Sequence, residues 1–387
     1  MEHRSPISTR HHDADAFFLF YGDQDTRAEV VETFGELEME YAAIRKSCVL
    51  FDAPHMGAVR ATGGERLAFL NNMITNKIDD LMPGASRASF WLNQKGRIDA
   101  DLRLIEREDE TLIRLDRHLA PRTAAALASY VFAEDCELTD ASDAIHWLAL
   151  HGPTSAAALG AASDDGFEPI EPGANTSIVI NGVPAAVDRD DPTGEPGYWI
   201  GVAPGDAPRV YDTLAALSED ESVRLKASGW LAVNTARIEA GRPLFNIDFG
   251  TDTLPAETGL FENRVSTTKG CYLGQEVVAR MHARGVRKQC IVGLRLDDQR
   301  VTMDQQRVIQ PVSGSQLFER GKEGETPVGA ITSSTISPML GAIPVCFAMV
   351  RDAQTAPGTE LSVWAEGDYA PCVVSESLAF WTPAPPA

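Results

Sequence analysis

Between residues 97 and 105 apolar and charged residues alternate: Ile98, Ala100, Leu102 and Leu104 occupy one set of positions, Asp99, Asp101 and Arg103 the other. Successive side chains of a strand point to opposite faces, so this period of two dictates a half-buried strand with its charged set on one side. Asp99 and Asp101 therefore look towards the same space. Residues 87–92 form a second strand-like run, and Asn93, Gln94, Lys95 and Gly96 between the two predict a hairpin. A chain with this segment near the middle of its first half must fold around a sheet.

The surrounding pattern alternates helices with strands. Residues 27–48 read as a helix, with Glu29 and Glu32 early and Arg45 and Lys46 late, as the helix dipole favours. A strand over 57–62, an amphipathic helix over 64–76, a strand over 111–115, a helix over 121–132 and a strand over 136–139 complete one α+β unit. Strands over 146–150, 177–180, 185–187 and 198–202, with helices over 154–159 and 207–217, repeat the theme and suggest a pseudo-duplication. Residues 161–175 read as an exposed loop. A helix over 229–240 ends at Gly241, a left-handed cap followed by Pro243, and 244–268 is irregular, as binding loops are. After Gln289 short strands over 291–296, 328–333, 345–350, 361–364 and 372–375 predict a small all-β barrel. The fold class is α+β, two related modules (1–144 and 145–288) plus a C-terminal β-barrel (289–387), with a Pro/Ala-rich, unstructured end from Thr382.

Length and composition bound the function. At 387 residues, 44% hydrophobic and 23% charged, the chain is globular and large enough for two or three cores. A net charge of −22 repels phosphate backbones and anionic lipid, which argues against general nucleic-acid binding and against a membrane partner. No apolar run is long enough to span a bilayer, and Met1 to Asp15 lack the pattern of a secretory signal. The six cysteines, Cys48, Cys136, Cys271, Cys290, Cys346 and Cys372, show neither a C-x-x-C pair nor Cys/His metal spacing. A soluble, cytoplasmic protein without a bound metal is expected.

The densest chemistry lies at Lys269, Gly270, Cys271, Tyr272, Leu273, Gly274, Gln275 and Glu276, continuing to Arg280. Gly270 and Gly274 let the backbone turn tightly around a thiol, and Lys269 and Arg280 would favour its thiolate form. The same string also suits a glycine-rich loop before a helix with an inert cysteine.

That string, K-G-C-Y-L-G-Q-E-V-V-A-R, resembles the signature of the YgfZ-type folate-binding proteins, relatives of the glycine-cleavage T-protein. The resemblance extends further. Leu50-Phe51-Asp52-Ala53-Pro54-His55-Met56-Gly57 is similar to the superfamily's L-F-D-x-S-H-M-G, departing at Pro54. Phe69-Leu70 with Thr75-Asn76, Arg237-Ile238-Glu239-Ala240-Gly241-Arg242-Pro243, and Thr332-Ser333-Ser334 with Ser337-Pro338 and Leu340-Gly341 are similar to three further superfamily segments.

The resemblance implies a folate-binding fold and tetrahydrofolate, or a one-carbon derivative, as cofactor. Gly96-Arg97-Ile98-Asp99-Ala100-Asp101-Leu102 matches the family's G-G-I-x-D-D-L, which puts its catalytic acid/base on Asp101. A solvated strand aspartate is the plain alternative. The family's folate-contacting glutamate falls on Trp199, within Thr193-Gly194-Glu195-Pro196-Gly197-Tyr198-Trp199, and an arginine of the family falls on Val233. Glu195 would then substitute from four positions earlier, and Tyr198 or Trp199 would offer a ring to a pterin. Asp101 and Cys271 are the candidate catalytic residues; Asp99, Asp101, Glu195, Tyr198, Trp199 and Arg237 are the candidate cofactor contacts. His55 reads as a packed, hydrogen-bonded histidine. The expected function is folate binding in support of iron–sulfur protein maturation or tRNA modification, with iron–sulfur client proteins as partners. The alternatives are an aminomethyltransferase and a non-catalytic folate-binding scaffold.

Overall fold

The computed structural model describes residues 2–23, 26–285, 287–296 and 309–382. The chain divides into two compact units. One comprises Met1–Trp91, Ala100–Val233 and Thr268–Leu273; the other comprises Leu92–Asp99, Asn234–Thr267 and Gly274–Ala387.

The first unit carries two large sheets. Five strands run in the order Ser86–Leu92, Ile98–Glu106, Glu110–Asp116, Met56–Thr62, Glu137–Asp140. Six run in the order Asn175–Ile180, Val183–Arg189, Gly197–Val202, His146–His151, Cys48–Asp52, Leu225–Ser228. The sheet orders reveal the duplication that sequence identity leaves faint. In each sheet the first strand of the repeat (Met56–Thr62, His146–His151) is flanked by its fourth strand, and the third and then the second follow outward. A helix succeeds the first strand in both (Arg66–Met73, Ser155–Ala162), and another succeeds the fourth (Ala120–Ala128, Ala207–Ala215).

The repeats differ by one insertion. Cys48–Asp52 lies inside the second sheet, antiparallel to His146–His151 and parallel to Leu225–Ser228. All five of its residues are buried. A central strand covered on both faces reads as an unbroken apolar run rather than an alternation, which is why the sequence pattern conceals it. The helix expected over 27–48 is therefore corrected to a strand, Ala28–Thr33, and a helix, Leu37–Lys46, ahead of this one. Val30 and Val31 favour the strand and are buried, and Gly35 at φ +86° breaks the path between the elements. Glu40, itself fully buried, locks the corner: it accepts hydrogen bonds from the Phe34 N–H at 2.7 Å and the Gly229 N–H at 2.8 Å. The helix Ser8–Asp13 and the strands Phe17–Tyr21, Leu225–Ser228 and Gln316–Glu319 were also not legible in the pattern.

Apolar packing and one ionic group bind this unit. Leu50, Leu148, Leu150, Ile200, Leu159 and Val210 belong to a continuous buried core of the second sheet and its helices. Between the sheets, Arg103 donates a fork of hydrogen bonds to Asp188, 3.0 and 2.9 Å, and a third to the Arg189 carbonyl at 2.7 Å. Arg114 adds bonds to Asp188 at 3.1 Å and Asp190 at 2.8 Å.

The second unit contains a closed six-stranded barrel, in the order Gln289–Leu296, Ile343–Arg351, Gly329–Ser337, Gln316–Glu319, Glu360–Ala365, Asp368–Val374. Leu294, Leu317, Ile331, Ala348, Leu361 and Val363 help fill it. Gly241 closes the helix Trp230–Glu239 at φ +71°, and residues 244–268 hold only a 3₁₀ turn and the short helix Phe261–Arg264. The sequence end beyond Thr382 lies outside the described residues. No helix among the described residues is long and apolar enough to cross a membrane.

Removing one partner of a buried ion pair strands the other charge. Arg103→Ala should lower unfolding free energy in urea by about 3–5 kcal/mol, whereas Arg10→Ala, which breaks an exposed pair with Asp212, should cost under about 1 kcal/mol. Equal effects would contradict the assignment of Asp188 as the tie between the sheets.

Candidate functional site

The strand Ile98–Glu106 keeps the predicted alternation: Ile98, Ala100, Leu102 and Leu104 are buried, while Asp99, Asp101 and Arg103 are half-buried. Arg103 turns its charge onto Asp188, so it is a structural residue. Asp99 accepts a hydrogen bond from Asn93 Nδ2 at 3.1 Å. Asp101 is half-exposed on the charged face of the strand, within the first unit.

Several predicted cofactor contacts sit elsewhere. Tyr198 is fully buried in the core of the second sheet, edge-on to Phe167 at 5.4 Å. Its ring is part of the packing and is not presented to a ligand. Glu195 is 6% exposed and lies 3.7 Å from Arg45; burial raises its carboxyl and the guanidinium opposes that rise. It is a partner of Arg45 rather than a substitute for a glutamate four positions later. Arg237 is 1% exposed: it donates to Asn234 Oδ1, the Arg242 carbonyl, Asp248 Oδ2 and Ser333 Oγ within the second unit. Every nitrogen of its guanidinium is engaged, so it braces the segment after its helix instead of holding a cofactor.

Trp199 stands between these cases. It is 8% exposed, with the Arg114 guanidinium 4.0 Å from its ring centroid and His151 edge-on at 6.1 Å. Its Nε1 and both ring nitrogens of His151 are buried without a protein partner among the described residues. Burial pushes His151 down to about 4, so it is neutral at pH 7. Val233, where the family's arginine would stand, is buried at 6% exposure. Neither position offers a charge.

The signature loop divides into an anchor and a presented thiol. Lys269 is buried, and its Nζ donates to the carbonyls of Asn71, Ile74 (2.7 Å) and Asn76 (2.9 Å) at the end of the helix Arg66–Met73. Burial lowers its amine to about 8. Tyr272 packs beside it, 5.1 Å from Nζ to ring centroid. Cys271, between these two buried residues, is exposed. The expectation that Lys269 and Arg280 serve the thiol is corrected: Lys269 holds three carbonyls, and Arg280 pairs with Glu276 at 2.6 Å. Glycine is required at Gly274, where φ is +81° and a Cβ would meet the Asn93 carbonyl at 2.8 Å; Gly270 is open and meets no such constraint. Gln275 then starts the helix Gln275–Arg284.

A buried acid–imidazole group escaped the sequence reading. Asp52 accepts from His11 Nε2 at 2.9 Å and His146 Nε2 at 2.7 Å, all three nearly inaccessible. Burial would raise this carboxyl, but His146 and His11 hold it well below the usual carboxylate range. The clue was an acid closing the apolar run Val49-Leu50-Phe51. Neighbouring His55 is packed as expected, among Tyr21, Phe51 and Trp230, but the hydrogen bonding expected of it is not met at Nδ1, which has no protein partner among the described residues, and burial lowers the imidazole to about 4. Among the described residues no group of three His, Cys, Asp or Glu could hold a metal ion.

Comparison with known proteins gives this geometry its context. The family described as the GCVT N-terminal domain matches residues 9–268, and the glycine cleavage T-protein C-terminal barrel domain matches residues 289–380. The chain belongs to the glycine cleavage T-protein family. The aminomethyltransferase of Streptomyces coelicolor is 29% identical over 342 residues, 87% of this chain and 88% of that one. That of Bacillus subtilis is 27% identical over 337 residues, 87% and 88%. The crystal structure of glycine cleavage system aminomethyltransferase T from Bartonella henselae shares the T-protein fold at a TM-score of 0.83, with 24% identity and 98% of each chain covered. These relatives carry the name aminomethyltransferase; the YgfZ-type branch is a finer assignment than they give.

Two outcomes follow for this T-protein family member. A thiol reagent added to the native chain should label Cys271 fast and half-buried Cys136 more slowly, while Cys48, Cys290, Cys346 and Cys372 react only on unfolding; a fast phase that survives Cys271→Ser would refute this. For His55 and His151, the unfolded chain takes up protons near 6.5 and the folded chain near 4. Stability therefore falls as pH is lowered through that window, by roughly 1.4 kcal/mol per pH unit for each imidazole. His151→Gln should flatten the dependence by about one proton, read as urea midpoints between pH 7 and 4; an unaltered slope would count against a neutral, buried His151.

Proposed function

We propose that the protein is a tetrahydrofolate-dependent one-carbon transferase, aminomethyl transfer being the activity its relatives are named for. The observation that carries this reading is Asp101: in a chain matched to the T-protein family at both ends, this carboxylate is half-exposed, and the resemblance of Gly96–Leu102 to the family motif puts the acid/base on it. Bound tetrahydrofolate supplies ring nitrogens that carry the one-carbon unit. The Asp101 carboxylate would accept a hydrogen bond from such an N–H and could take its proton, general-base help that typically contributes ~10²–10⁴-fold to a rate. The indole N–H of Trp199, lacking a protein acceptor, suits an oxygen of a bound ring where a carboxylate would have met an N–H instead. The fit to folate is thus partial, with Asp101 kept and two charged anchors replaced by Trp199 and Val233.

A second reading has its own support. The exposed Cys271 between buried Lys269 and Tyr272, together with those replaced anchors, favours a YgfZ-type folate-binding protein that serves iron–sulfur client proteins or tRNA modification. Six free thiols suit a reducing compartment such as the cytoplasm.

Calorimetric titration with tetrahydrofolate and its 5-formyl analogue, joined to steady-state transfer from an aminomethyl-lipoyl carrier, separates the readings. Transferase function predicts turnover that drops by at least about a hundredfold in Asp101→Asn and persists in Cys271→Ala. Folate binding without transfer, with a maturation defect only in Cys271→Ala, would select the second reading. Binding with neither effect would leave a scaffold, and no binding would overturn both transferase and YgfZ-type proposals.

A further inference from the structure

The first unit contains a cleft that neither reading uses. The strand Met56–Thr62, the turn joining Ile98–Glu106 to Glu110–Asp116, and the edge strand Asn175–Ile180 enclose a volume of about 780 Å³. Arg60, Arg107, Glu110 and Ser177 also border a second hollow of about 170 Å³, whose remaining walls include Leu112, Ile145, Pro184 and Val202. A charged mouth thus opens beside a small slot of mixed lining, with apolar side chains on part of its wall.

The charges of the mouth are partly paired with one another. Glu110 bridges the two arginines, 2.6 Å to Arg60 Nε and 2.9 Å to Arg107 Nη1, and Arg107 Nη2 donates to Ser177 Oγ at 3.1 Å. These bonds fix Arg60 through Nε alone; among the described residues its two Nη nitrogens meet no protein acceptor. On the same cleft wall Glu108 and Asp109 are exposed, and among the described residues neither is ion-paired. The turn that carries them is held in place by Arg66, which donates to the carbonyls of Arg107 at 3.0 Å and Glu108 at 3.1 Å. One cationic fork, two acids and a slot partly walled by apolar side chains are therefore displayed together on a braced frame.

The geometry points to a binding site for a zwitterion with a short apolar side chain: a free aliphatic amino acid. A simple anion is disfavoured, because Glu108, Asp109 and Glu110 outnumber the two arginines. A simple cation would leave the Arg60 fork unmatched. An α-amino acid satisfies both, its carboxylate accepting from Arg60 Nη1 and Nη2, its ammonium donating towards Glu108 and Asp109, and its side chain entering the slot. The site lies outside the residues assigned to folate, so binding there is independent of either functional reading.

Titration of the full chain with L-leucine and L-valine, followed by calorimetry and by ligand-observed NMR, tests this. Saturable binding is expected, weakened at least about tenfold for 4-methylpentanoate, which lacks the ammonium, for 3-methylbutylamine, which lacks the carboxylate, and for glycine, which lacks the side chain. Arg60→Gln should weaken leucine by at least about tenfold without altering tetrahydrofolate binding; Ala186 is another wall of the slot, and Ala186→Phe, which fills it, should exclude leucine but spare glycine. No binding of either amino acid by wild type up to about 10 mM would overturn the proposal. So would equal binding of leucine and its two truncated analogues, a comparison made on wild type that does not depend on how the variants fold.

Discussion

The first unit hangs on a carboxylate that two arginines share. Asp188 takes the full fork of Arg103 and a further bond from Arg114, and these are the charges that one sheet extends to the other. Desolvating three ionised groups is costly, and the geometry repays it only because every oxygen of Asp188 is occupied and Arg114 finds Asp190 as well. The consequence reaches Trp199: Arg114, fixed by two acids, is what lies over the indole ring. The aromatic ring of Trp199 is thus supported by a cation already held for structural reasons.

Legibility followed the physics of each pattern. The alternation from Ile98 to Leu104 is a statement about one buried and one polar face, and the strand obeys it residue by residue. Five of the six barrel strands announced themselves by the same period and by the turns between them; Gln316–Glu319 did not. Cys48–Asp52 did not, because a strand buried on both sides loses its alternation and resembles the end of the helix before it. Sequence likewise named Glu195, Tyr198 and Arg237 by their chemistry, yet chemistry does not say which partner claims a side chain first: Arg45, the apolar core and Asp248 did so. The Asp52 group was invisible for a related reason, since its two histidines come from positions 41 and 94 residues away.

The signature loop shows how a motif can mix structure with presentation. Lys269 inserts an ammonium among three carbonyls left over at a helix end, a role any chemist would assign to a cap rather than to catalysis. Tyr272 seals the other side, and Gly270 and Cys271 between them are exposed. With Lys269 and Tyr272 anchored, the accessibility of the thiol follows from how the loop is pinned at both ends.

The strand Cys48–Asp52 carries a last implication, for ancestry and engineering. It sits between the first and last strands of the second repeat although it is encoded ahead of the first. The two halves are consequently interlaced: a chain cut near residue 144 would give a front fragment with an apolar ribbon and no neighbours, and a back fragment whose terminal strand Leu225–Ser228 had lost its sole bonded partner in that sheet. Whatever duplication produced the repeats, its products can no longer live apart.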